Sequence, residues 1–149
     1  MTSDHEITLT RVFDAPRELV FEAWTDPERV VQWWGPNGFT TTIHEMDVRP
    51  GGVWRFVMHG PDGTDYNNHV VFDEVVKPER LIYRHGGGEG NDIKEFHVTV
   101  TFDEDDDKTR LTLRLVAESP SERDRMVESG ALEGGTQTLE RLAEHLTKK

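Results

Sequence analysis

The side chains best suited to chemistry are the seven histidines, since imidazole is the group whose unperturbed titration falls between about pH 5 and 8. Two of them sit where a sheet could carry them into a pocket. His69 lies beside Asn68 on the run that follows Pro61-Asp-Gly63, and His85 lies two residues beyond Tyr83. Either ring could orient a ligand carbonyl or pass a proton as acid or base. The alternative for each is a ring bonded to nearby backbone or facing water, and alternation sets strand register only to within one residue. No histidine pair has i,i+4 helical spacing and no H-E-x-x-H occurs, so no metal site is expected. With no cysteine, no G-x-S-x-G and no serine beside a sequence-defined base, no nucleophile is marked and no cofactor is called for.

Apolar contact area is plentiful. Three of the four tryptophans, Trp24, Trp33 and Trp34, fall between Ala23 and Gly38, each with a large apolar surface and one N–H that needs a partner when buried. Trp24, Trp34, Trp54, Phe56, Met58, Tyr83, Phe96 and Leu139 are expected to supply ligand contact, with Asn68, His69 and His85 as the polar groups. Plain core is the alternative for any single member, and the pocket reading rests on the set.

The elements that must position these groups follow from periodicity. Ile7 to Phe13 alternates as a half-buried strand, with Arg11 on its apolar face, either snorkelling to water or awaiting an internal carboxylate. Asp14-Ala-Pro16 opens a helix and Asp26-Pro27-Glu28 repeats the start signal, which predicts two short helices before the Gly35-Pro-Asn-Gly38 loop. Strands follow from Phe39 to Val116. Val53 to His59 and Thr64 to Val76 form a hairpin about Pro61-Asp-Gly63, and Pro78-Glu79 leads into Leu81 to His85. Gly86 to Gly90 is expected as a loop. The runs from Phe96 and from Leu111 make a second hairpin, whose tip is the acidic stretch Asp103 to Asp107; that run lacks the interleaved glycine and spaced ligands of a calcium loop. From Pro120 onward apolar residues recur at helical spacing, which predicts one long amphipathic helix. Gly130, Gly134 and Gly135 interrupt it, either to admit a close neighbour or at a kink.

At 149 residues the chain fits one domain spanning residues 1–149. A net charge of -12 with scattered basic residues argues against nucleic acid and anionic membrane as partners, and no apolar run is long enough for a membrane span. The start lacks a secretory signal and there is no cysteine, so a cytoplasmic location is expected. The order of elements implies an α+β chain whose terminal helix covers one face of an antiparallel sheet.

The segments Arg11 to Pro27, Trp33 to Pro36, Pro50 to Thr64 and Pro78 to Leu81, in this order over nearly the whole chain, resemble the SRPBCC (START/Bet v 1-like) superfamily. The branch is that of homologues of the heat-shock protein 90 ATPase activator. The resemblance implies the helix-grip fold, a curved seven-stranded antiparallel sheet around the C-terminal helix with a cavity between them. It implies a hydrophobic ligand too, since members bind lipids, sterols, polyketides and plant hormones, while some are cyclases or hydrolases. In the eukaryotic activator a chaperone-binding N-terminal domain precedes a domain of this type, and no segment of these 149 residues corresponds to it. Related chains often carry a bulky aromatic where Gly134 and Gly135 stand, which implies a roomier cavity.

The expected function is therefore binding of an apolar or amphipathic small molecule, without chemistry of its own. The alternatives are a cofactorless, polyketide-cyclase-like enzyme using His69 or His85, and a protein-interaction module whose acidic surface meets a basic partner such as a chaperone. Oligomeric state is left open.

Overall fold

The alternating runs pair into one seven-stranded antiparallel sheet in the order β1-β7-β6-β5-β4-β3-β2. The structure is a computed structural model that describes residues 5–87, 95–128 and 130–147. Its strands are β1 (Glu6–Phe13), β2 (Thr40–Met46), β3 (Val53–His59), β4 (Asp65–Val76), β5 (Arg80–Gly87), β6 (Phe96–Asp105) and β7 (Lys108–Val116). From β2 to β7 each strand pairs with the next, and β1 joins the far side of β7. Residues opposite one another share a face, so the pairs Trp54 with Val70, Val70 with His85, and His85 with Phe96 line up one apolar row. Tyr83, Val98, Leu115 and Ile7 make a second row by the same rule. Register shifts between Ile43 and Glu45 and between Phe72 and Glu74 let the sheet bend around what it covers.

Helices α1 (Arg17–Thr25) and α2 (Pro27–Val30) are separated by Asp26. Its backbone N–H closes α1 on the Glu22 carbonyl, while its carboxylate accepts from the Glu28 N–H and caps α2 ahead of Pro27. The break throws Trp33 back onto α1, where its indole Nε1–H donates to the Ala23 carbonyl at 3.1 Å.

The C-terminal region departs from the single long helix that its periodicity predicts. It divides into α3 (Pro120–Glu128) and α4 (Ala131–Thr147), with Gly130 between them at φ +93°. A residue in the left-handed region ends a right-handed helix, and the hydrophobic period runs on because both pieces are amphipathic. Inside α4 the two other glycines admit close neighbours. A Cβ on Gly135 would stand 2.6 Å from Leu9 Cδ1, and one on Gly134 3.3 Å from Pro36 Cγ. Leu139 and Leu142 of α4 are buried in the same core as the tryptophans and the sheet face. Arg11 reaches outward, its guanidinium 5.8 Å from the Phe13 ring centroid and 4.0 Å from Glu140.

Gly86 and Gly87 extend β5, and the rest of the glycine run expected as a loop, residues 88–90, lies outside the described residues. The acidic run turns at Asp106, φ +56°, in the β6–β7 hairpin. No helix among the described residues is long and apolar enough to cross a membrane.

Candidate functional site

A cavity of about 340 Å³ lies between the sheet and α4. Gly134 and Gly135 line it from the helix, and Tyr83, His85 and Phe96 from the sheet. Trp24, Trp34, Met58, Tyr83, His85, Phe96 and Leu139 all line it. Four other side chains expected in the pocket are placed elsewhere. Trp54 and Phe56 stack on each other at 4.4 Å and form the layer behind Trp34, whose ring is 4.8 Å from that of Trp54. Asn68 is buried behind His85. His69, next along β4, shares a solvent-facing pocket with His44 and Arg55. Neighbours on a strand point to opposite faces, so Asn68 and His69 cannot both face the helix.

Gly35, Pro36, Val98, Leu113, Leu115 and Thr138 complete most of the lining. Val98, Leu113 and Leu115 continue the alternation that marks Phe96 and were legible from it. Gly35 and Pro36 come from the Gly35-Pro-Asn-Gly38 loop that the sequence marks after the two short helices, where the mouth is expected, although a loop has no period to single them out.

The mouth is held by Arg141. Its Nη1 donates to the carbonyls of Gly35 at 2.8 Å, Pro36 at 3.0 Å and Trp34 at 3.4 Å, which ties the tryptophan loop to α4. Burial draws this guanidinium below its ordinary pKa, partly offset by the Glu144 carboxylate. Gly35 is fitted to the same loop: at φ +102° it adopts a left-handed conformation, and a Cβ there would stand 3.0 Å from Met58 Cε.

The polar groups of the lining are few and uncharged in character. Burial, with a smaller contribution from the nearby His69 ring, pushes the His85 imidazole down to about 4, so it is neutral near pH 7. Burial pushes the Tyr83 phenol up, opposed in smaller part by hydrogen bonding from the Trp24 indole, so it keeps its proton. The Trp24 Nε1–H is buried beside the Tyr83 hydroxyl and makes no hydrogen bond of regular geometry among the described residues. Among the described residues no Lys, Arg, Asp or Glu lines the cavity.

A second constellation lies on β2, β3 and β4. Thr42 Oγ1 is 2.8 Å from His59 Nε2, and His59 Nδ1 is 2.7 Å from Asp65 Oδ1. Hydroxyl, ring and carboxylate fall in the order that activates a nucleophile, but all three are open to water, which competes for every bond in the relay. Among the described residues no group of three or more His, Asp or Glu is placed to hold a metal ion.

A family model described as activator of Hsp90 ATPase homolog 1-like protein matches residues 14–147. No curated protein matches the sequence. Among solved structures, protein Ms6760 from Mycobacterium smegmatis is similar at 26% identity and a TM-score of 0.89, over 98% of this chain and 93% of that one. A protein from Arthrobacter aurescens is similar at 26% identity and a TM-score of 0.92, over 98% of this chain and 88% of that one. DynU16, a protein of the dynemicin biosynthetic locus, is similar at 26% identity and a TM-score of 0.73, over 98% of this chain and 48% of its own length.

Proposed function

Because the chain belongs to the activator of Hsp90 ATPase homolog 1-like family, whose model spans residues 14–147, we propose that it binds an apolar or amphipathic small molecule between its sheet and α4, acting in the cytoplasm. The observation that carries this reading is the cavity. About 340 Å³ is at the lower end of the roughly 300 to 1,000 Å³ typical of ligand sites, and its wall is aromatic and aliphatic with polar groups gathered at Trp24, Tyr83 and His85. An apolar space of that size costs packing contacts unless something fills it. The family alone does not specify a ligand, since one fold hosts many functions.

Native mass spectrometry of protein purified from its own host is expected to show a co-purifying small molecule at near one-to-one stoichiometry. Thr138→Trp, which places a large ring into the cavity from α4, is expected to abolish that adduct and to weaken uptake of a hydrophobic fluorescent probe at least tenfold. A wild-type protein that carries nothing and takes up no probe would end the binder reading.

Proton transfer is a second reading, favoured by the place of the neutral His85 ring in the lining. Its test is exchange of a bound ketone's α-hydrogen for deuterium. Exchange in the wild type that persists in His85→Phe would exclude it.

A further inference from the structure

We propose that the cavity is built for an uncharged ligand that brings a hydrogen-bond donor, a hydroxyl or phenol, to His85 and a hydrogen-bond acceptor, a carbonyl oxygen, to Trp24 and Tyr83. This rests on the binder reading above and names the class of ligand.

The argument starts one residue behind the cavity wall. Asn68 Nδ2 donates to the Tyr66 carbonyl at 3.0 Å, and a carbonyl can only accept, so the orientation of the amide is determined. Its Oδ1 therefore faces His85 Nε2, 2.9 Å away, and that oxygen can only accept in turn. Nε2 must carry the ring proton. In a neutral imidazole the other nitrogen, Nδ1, then holds the lone pair. The ring is held in this pose by stacking on Phe96, 5.0 Å between centroids at 30°, and by its edge contact with Phe56 at 5.9 Å. Through His85 the wall thus offers an acceptor.

The opposite requirement arises at Trp24. Trp24 is 2% exposed, its N–H makes no hydrogen bond of regular geometry among the described residues, and it lines the cavity beside Tyr83, whose hydroxyl it approaches and which keeps a proton of its own to donate. A buried donor left unmade costs about 1 to 3 kcal/mol, and a ligand oxygen is the group that would relieve it. With no charged side chain among the described lining residues, a carboxylate or ammonium buried there would meet no counter-charge from them, and at the mouth the Nη1 of Arg141 is taken up by three carbonyls. A carboxylate or ammonium buried in that lining is disfavoured on that ground, whereas a hydroxylated aromatic ketone satisfies both ends.

The test uses five probes on one ring system: naphthalene, naphthol, naphthyl methyl ketone, hydroxynaphthyl methyl ketone and naphthoate, titrated into the full-length protein. The hydroxy ketone should bind tightest, naphthol and the ketone each several-fold better than naphthalene, and naphthoate at least tenfold worse than the ketone. His85→Phe, which keeps the stack on Phe96, should remove the advantage of naphthol over naphthalene and leave that of the ketone. Independently of any substitution, nitrogen NMR of isotopically labelled wild-type protein should find the His85 proton on Nε2. Naphthoate binding as well as the ketone, or the proton on Nδ1, would overturn the proposal. Equal uptake of all five would overturn it while leaving the binder reading intact; uptake of none would overturn both.

Discussion

Gly52→Ala is expected to destabilise the protein by about 3 kcal/mol or more. A Cβ at this position would stand 1.9 Å from the Asp47 carbonyl oxygen, 2.9 Å from the Asp47 carbonyl carbon and 3.0 Å from the Arg49 oxygen. All three are backbone atoms, which cannot rotate aside as a side-chain tip can. The turn is also tied on both sides. Gly52 N–H donates to Arg49 at 2.8 Å, its carbonyl accepts from the Phe72 N–H at 3.0 Å, and the Asp47 N–H reaches Val53 at 3.0 Å. Relief therefore means opening the turn or shifting β3 against β4, and β3 carries Trp54, the layer behind Trp34. Gly51→Ala is the internal control. Its φ of +81° is strained for alanine but nothing stands within 4 Å of the new methyl, so only about 1 kcal/mol is expected. Urea unfolding of the two variants decides the matter, and a Gly52→Ala protein as stable as Gly51→Ala would sink it.

Acid should destabilise the wild type through His85 in a specific window. The folded ring titrates at about 4, mainly because of burial and secondarily because of the His69 charge, against 6.5 in the unfolded chain. Between those values the unfolded state holds a proton that the folded state refuses, so stability falls as pH drops from about 6.5 toward 4 and is unaffected by this group above that range. At 1.36 kcal/mol per pH unit the loss reaches up to about 3 kcal/mol. Carboxylates add their own acid dependence, so the quantity to measure is a difference. The stability of wild type minus that of His85→Phe should shrink by up to about 3 kcal/mol from pH 7 to pH 4, and a difference that stays flat across that interval would refute the assignment.

The seven strands and two short helices were legible because each has a local cause: alternation for the sheet, Pro and Asp for the break at Asp26, Pro61-Asp-Gly63 for a turn. Trp24, Trp34, Met58, Tyr83, His85, Phe96 and Leu139 meet at one cavity because period and element order suffice to aim them. What failed to show was conformational or relational. The left-handed φ of Gly130 has no trace in a pattern of apolar residues, so two helices read as one. His69 read as a neighbour of Asn68 when the pleat puts adjacent residues on opposite faces. Trp54 and Phe56 share the inward face with Met58, yet Trp34 lies over them, a contact between segments roughly twenty residues apart that periodicity does not encode. The direction of the His85 proton depends on a chain of three groups, Tyr66, Asn68 and His85, and becomes readable only when the register of β4 against β5 is known.

The pairing of β1 with β7 also has a consequence in time. Ile7 faces Leu115 and Leu9 packs on Gly135, so β1 leaves the ribosome roughly a hundred residues before anything it can dock against. The strands from β2 onward each meet a partner made immediately before or after them and can zip as they emerge. Until β7 is made, β1 waits unpaired with its apolar positions Ile7, Leu9 and Phe13, a template for a strand of another nascent chain. β1 is thus a clasp that closes only after the rest of the sheet is made, and the interval before it closes is one of exposure to aggregation.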